Sequence, residues 1–460
     1  MSSNTRSIRG SLLPILCLLG GATPANAGES SPKPFAAEVV AAWKKAGIAA
    51  GWMSRDESGP MLVRFAEKPK AGELPAFYVG RGRADAMDKL PAPGVPFGLL
   101  IEEERPSEEA LRGLLRFKTL ERLDLSACRL LDEAAFKQIT RLSSLRELVV
   151  SGVEPVTDEG FKEIGALSNL VYLNASGTKI GAEGAAAIGR LKRIEALRLG
   201  GCQKLGLQAF KRLTSARTLR ALHLDACDYL DDDGVKAVAE LRDLQRLSLF
   251  STRVGDAGLK AILSLTSLEA LDLRFTRVSD DGLNRLAPLR RLRVLNLAAT
   301  DVSDEGIKGI AQLEALEELG LGTKVGDRAL GQLGRLKALR RLILSGCKNI
   351  TDKGMSALIP LAELRRLDLF DCPNITERGL RAVAKLSKLE SLGLGLTGVN
   401  SAGVFNLAPL TNLRSLSLQE TNVGDAGVLA LVGHKQLRWL NLAGCKGVSA
   451  EAVSKLRAAL

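Results

Sequence analysis

The chain has 460 residues, 46% hydrophobic and only 4% aromatic, with a formal net charge of +12. Its length suggests roughly two or three compact domains, and leucine in place of aromatics points to a regular stack filled by one side-chain shape. The basic balance is compatible with an anionic partner, and no stretch is long and apolar enough for a membrane span.

At the start, Arg6 and Arg9 precede the apolar run SLLPILCLLGGA, and Ala25-Asn26-Ala27 comes after it. This order reads as a cleaved secretory signal, residues 1–27, with the mature chain beginning at Gly28. A disordered basic leader on a cytosolic protein is the alternative. Leu16 stands before Cys17 where a lipid-anchoring signal wants a small residue, so export is expected without a lipid anchor. The destination is secreted or periplasmic. Removing Arg6 and Arg9 leaves 62 − 52 = +10.

PFAAEVVAAWKKAG then reads as an amphipathic helix stopping at Gly47, and MLVRFA and PAFYVG as short strands. Pro- and Gly-rich segments separate them, and residues 28–95 are assigned as an N-terminal capping segment. FGLLIEEERPSEEALRGLLRFKTL keeps Leu99, Ile101, Leu111, Leu114 and Phe117 in register with the leucines after Leu120, as a degenerate first repeat.

From Leu120 to Leu437 the pattern L-x-x-L-x-L begins fourteen times, at steps of 23 to 25 residues. Each copy alternates as a strand does, and G-[LIV]-x-x-[LIV]-x-x-L succeeds it at helical spacing. In LDLRFTRVSDDGLNRLAPL the strand is Leu271–Leu273, the turn lies near Thr276 and the helix begins about Asp280. One strand and one helix cannot bury their own apolar faces, so neighbouring copies must stack. Residues 96–460 resemble the leucine-rich repeat family, most closely its cysteine-containing subclass, known from F-box proteins and exported bacterial repeat proteins. The resemblance implies an α/β solenoid, a curved horseshoe with a parallel sheet on the concave side and helices on the convex side.

Eight residues into the copies stands one recurring slot. Cys128, Cys202, Cys227, Cys347, Cys372 and Cys445 occupy it, with Thr178, Thr252, Thr276, Thr300, Thr397, Thr421 and Val153 in other copies and Thr323 one place early. A small donor there suits a turn that must satisfy carbonyls without water. Strand spacing would permit Cys202–Cys227 and Cys347–Cys372 disulfides, but equivalent side chains point the same way, so six free buried thiols are expected. Asp256, Asp280, Asp304, Asp327, Asp352, Glu377 and Asp425 stand where helices begin, as caps of those helices. Lys192-Arg193, Arg290-Arg291, Arg340-Arg341 and Arg365-Arg366 are assigned to helix C-termini.

The chemistry-bearing constellations dissolve under the same periodicity. His223, Asp225 and Cys227 suggest a nucleophile and base, but the thiol belongs to the inward slot. A metal at His223, Asp225 and Asp272 would have one imidazole and two unsupported acids. Gly393-Leu-Gly395-Leu-Thr-Gly398 falls in a repeat strand and turn, without the order that seats a phosphate on a helix. His434 falls on an apolar helix position, partly buried. No catalytic residue, cofactor or metal is assigned.

What remains is the outward face of the sheet, at the positions two, four and six residues beyond the first apolar residue of each copy. There stand Tyr172, Arg198, His223, Asp225, Arg246, Phe250, Asp272, Arg274, Arg366, Asp368, Phe370 and Trp439, with Phe275 beside Arg274. Exposed aromatics flanked by Arg and Asp are interface anchors, although scattered aromatics are also tolerated on a long sheet. Both charge signs occur, which does not fit a phosphate-tracking groove, and no nucleic acid is expected. An exported, non-enzymatic scaffold for a protein partner is the leading reading. A binder of acidic polysaccharide or of the envelope surface is the second. A ubiquitin-ligase substrate adaptor is third, and lacks an F-box.

Overall fold

The computed structural model describes residues 33–55, 61–66 and 68–460. The stretch read as a signal, with Cys17, lies outside them. The chain forms two compact units, one holding the described residues up to Val156 with Ala166–Asn174, the other Thr157–Gly165 and Ala175–Leu460.

The first unit opens with helix Ala37–Lys45, which buries Val39 and Trp43. Its strands are β1 (Ala49–Arg55), β2 (Met61–Arg64), β3 (Leu74–Val79), β4 (Phe97–Ile101), β5 (Leu120–Asp124), β6 (Glu147–Val149) and β7 (Tyr172–Asn174). β1 runs antiparallel to β2 and β3, and β3 to β7 are parallel neighbours in order. The helix and the two short strands stand where the sequence places them. β1 carries no strand signal of its own, because AAGWMSR has no clean alternation. Its hairpin partners bury Trp52 and Met53, and Arg122 on β5 donates to Met53 O at 3.0 Å. The few aromatics of the chain concentrate here. Trp43 stacks on Phe77 with centroids 3.9 Å apart, and Phe97 meets Phe117 edge-on at 5.8 Å.

The second unit is the repeat stack proper. Its strands are β8 (Ala196–Arg198), β9 (Ala221–His223), β10 (Arg246–Ser248), β11 (Ala270–Asp272), β12 (Val294–Asn296), β13 (Glu318–Gly320), β14 (Arg341–Ile343), β15 (Arg366–Asp368), β16 (Ser391–Gly393), β17 (Ser415–Ser417) and β18 (Trp439–Asn441). Each pairs in parallel with the next, its central leucine opposite the next central leucine. Up to β17 those leucines are buried, as are the leucines two residues later; in the last copy both are half-buried. The expected strand Leu271–Leu273 is observed one residue earlier, as β11.

The turn after each strand explains the slot. In most copies the residue just before the slot is left-handed, which aims the next side chain into the core. Gly177, Gly201, Gly346 and Gly444 meet this demand freely, but Ala226, Ser251, Phe275, Ala299, Asp371, Leu396 and Glu420 adopt φ of 53° to 56° without being glycine. Each costs about 1–2 kcal/mol. In the slot, threonine and cysteine do different work. Thr252 and Thr276 donate to the carbonyl three residues back, Leu249 O at 2.7 Å and Leu273 O at 2.6 Å. Cysteine reaches into the preceding repeat instead: Cys372 Sγ lies 3.1 Å from Leu344 O and Cys227 Sγ 3.2 Å from Leu199 O. All six described cysteines are free and buried. Thr323 is a correction, because it is exposed. The short copy omits the slot, and Cys347 from the next copy donates to Gly322 O at 3.2 Å.

The helix-start acids need a second correction. Asp352 does not cap its own helix; Thr351 does. Its Oδ1 accepts the N–H groups of Thr376 at 2.8 Å and Gly379 at 2.9 Å, and its Oδ2 the Thr376 hydroxyl at 2.6 Å, all in the next repeat. Asp256 holds Ser279, Asp280 holds Ser303 and Asp327 holds Thr351 in the same way. The helix glycine makes room for this carboxylate, since a Cβ at Gly379 would lie 2.5 Å from Asp352 Oδ1. The repeat signature is therefore a stitch between repeats.

The basic pairs are a third correction. They lie past the helix ends at Gly189, Leu283, Leu333 and Leu358, and Arg341 and Arg366 open β14 and β15. Arg365 pairs with Glu390 at 2.8 Å, Arg340 with Glu317 at 3.9 Å and Arg341 with Glu318 at 3.6 Å. His434 is fully rather than partly buried, with Nε2 3.1 Å from Leu407 O.

Candidate functional site

The parallel register arranges the outward side chains of the second unit in rows. One row crosses the first strand position (Arg246, Ala270, Val294), a second the third position (Ser248, Asp272, Asn296). A third lies two residues beyond, at Asp225, Phe250, Arg274 and Ala298. From β9 to β14 the middle row is buried between the rows on either side. Hence Asp272, 1% exposed, and His223, 7% exposed, are buried where the sequence reading placed them outward. Tyr172, in the first unit, is also buried at 3%. These three are not exposed anchors.

Around β9 to β11 the rows converge. Asp272 holds the Arg274 guanidinium through Nε at 3.0 Å and Nη2 at 2.6 Å, and its Oδ1 also accepts the Arg274 N–H at 3.0 Å. This fork places the guanidinium carbon 4.9 Å over the Phe250 ring, within cation–π range. Phe275 completes the group, edge-on to Phe250 with centroids 5.5 Å apart. Phe275 is 56% exposed although its backbone is left-handed. Beside it, Asp225 accepts the Ser248 hydroxyl. Burial raises the Asp225 carboxyl above its usual range, Asp272 adds to this and the Ser248 bond opposes it. His223 is held well below its ordinary range by burial, then by the charges of Arg198 and Arg246, so its ring is neutral near pH 7.

The structure thus brings together Phe250, Asp272, Arg274 and Phe275, with Asp225, His223, Arg198 and Arg246 alongside. Arg366, Asp368 and Phe370 form a separate place on β15 and its turn, and Trp439 stands 52% exposed on β18. Tyr172 joins neither. The sequence reading missed Ser248, the partner of Asp225, and the strained backbone of Phe275; a turn position filled by glycine in other copies was the available signal. Among the described residues no cluster of His, Cys, Asp and Glu is arranged to hold a metal ion, and no helix is long and apolar enough to cross a membrane. Cys227, the nucleophile candidate beside His223 and Asp225, donates to Leu199 O, and burial pushes its thiol up to about 12.

A sequence profile described as a leucine-rich repeat region matches residues 204–458, more than half of the chain. No curated protein matches the sequence. Among solved structures the chain is similar to an internalin (inlF) of Listeria monocytogenes, at 21% identity and a TM-score of 0.51, covering 73% of this chain and 94% of that one. It is also similar to a leucine-rich repeat protein of Leptospira interrogans, at 21% identity and a TM-score of 0.45, covering 75% and 96%. The likeness to the internalin is one of fold.

Proposed function

The chain belongs to the leucine-rich repeat family, and from that premise we propose a non-enzymatic, exported scaffold that binds a protein partner on the open sheet face of the second unit. One observation carries the reading. Phe275 is held exposed on a left-handed backbone that a glycine would adopt without strain, against Phe250 and the clamped Arg274. The left-handed backbone is common to this turn in many copies, but an exposed aromatic beside a clamped arginine fits a binding anchor. The inert, inward thiols support a non-enzymatic role. Export rests on the arginines, the short apolar run and the Ala25-Asn26-Ala27 exit.

The test is cross-linking capture from the native envelope fraction with the mature chain, beside a Phe250→Ala, Phe275→Ala variant. Capture should weaken by about tenfold or more, with thermal stability close to the parent. Undiminished capture by the folded variant removes the cluster as the anchor. N-terminal sequencing of native material should begin at Gly28, and a chain beginning at Met1 removes export.

A further inference from the structure

We propose that the last four strands carry a second binding site, for an acidic oligosaccharide. Arg366, Ser391, Ser415 and Trp439 are successive register partners across β15 to β18, a span of about 14 Å at normal strand spacing. The next row is Asp368, Gly393, Ser417 and Asn441.

Three features separate this place from the rest of the sheet. First, the hydroxyls of Ser391, Ser415 and Ser417 are half-buried on the open face and have no hydrogen-bond partner among the described residues. Second, the arginines along the other strand entrances are engaged: Arg220 with Asp243, and Arg293 and Arg340 with Glu317. Arg366, Arg414 and Arg438 are exposed and form no ion pair or side-chain hydrogen bond among the described residues. Third, Trp439 closes the row with half of its surface open.

The chemistry selects the ligand. Exposed indole offers a flat apolar face to the C–H side of a sugar ring, and serine hydroxyls exchange hydrogen bonds with its hydroxyls. Asp368 Oδ1 already accepts the Phe370 N–H at 3.0 Å, leaving Oδ2 to accept. Asn441 Nδ2 is spent on Gln419 Oε1 at 2.5 Å, which turns the Gln419 amide nitrogen into a free donor. The three arginines call for carboxylates. A bare polyanion satisfies only the arginines and is opposed by Asp368 and Glu420, whereas a uronic-acid chain supplies acids and hydroxyls together.

The experiment is calorimetric titration of the full mature chain with an oligogalacturonate at low salt, beside a neutral maltooligosaccharide and a short polyglutamate. Saturable binding of the oligogalacturonate alone is expected. It should weaken about tenfold or more in Trp439→Ala, measurably in Arg366→Gln, and in moderate salt. The Phe250→Ala, Phe275→Ala variant should bind it as the parent does, which separates this site from the protein-binding cluster. Absence of saturable binding overturns the proposal, as does equal binding of polyglutamate or of the neutral sugar. Unaltered affinity in a folded Trp439→Ala chain also overturns it.

Discussion

Replacing Gly379 by alanine should destabilise the protein, although the same change in an ordinary helix interior stabilises by about 0.5–1 kcal/mol. Gly379 lies inside the helix Glu377–Val383. Its new Cβ would sit 2.5 Å from Asp352 Oδ1 and 3.1 Å from Met355 Cγ, whereas carbon and oxygen normally approach no closer than about 3.3 Å. The carboxylate must retreat by most of an ångström. That takes its bonds to the Thr376 and Gly379 N–H groups, now 2.8 and 2.9 Å, past the useful limit. Bonds to a charged acceptor contribute about 1.5–3 kcal/mol each. If one is lost and the rest rearrange, the helix gain leaves a net cost of about 1–2 kcal/mol. Gly331, in the helix Asp327–Leu333 with nothing within 4 Å of its Cβ, is the control and should show the ordinary gain. Urea unfolding of both variants, and of Gly379→Ala on an Asp352→Ala background, forms the assay. On that background the alanine should become favourable, the coupling expected of groups in contact. If Gly379→Ala stabilises as much as Gly331→Ala, the stitch does not constrain the helix and the reasoning is wrong.

Burial pushes Cys128, Cys227, Cys347 and Cys372 up to about 12. At pH 8 the native thiols should resist alkylation, and denaturation of a chain beginning at Gly28, without reductant, should release six, a result that any missing adduct contradicts. Because an unfolded thiol titrates near about 8.5, these groups add stability below that pH, and it is lost as pH rises toward 12. His223 has the opposite dependence. Its folded value is depressed, so its contribution is present above about 6.5 and lost as pH falls. His223→Asn should flatten the decline in Tm between about pH 7 and pH 5; parallel profiles for variant and parent would count against a buried neutral ring.

Leucine spacing by itself determined the number of clear repeats, the place of each strand to within a residue and the inward slot of Cys372. A solenoid repeats one contact environment, so a period in residues is a period in burial. The same logic misplaced residues whose surroundings come from another repeat. Asp272 and His223 alternate outward as a strand demands, yet the rows on either side bury them. Asp352 looks like a cap of its own helix, but its acceptors are spent one repeat onward, against Gly379, whose missing side chain makes room for it. Phe275 occupies a left-handed position that residue type alone conceals, because the turn imposes its backbone and the side chain does not. The chain's own period settles what lies within a repeat; contacts between repeats, whose partners lie outside any single copy, are decided only when the copies stack.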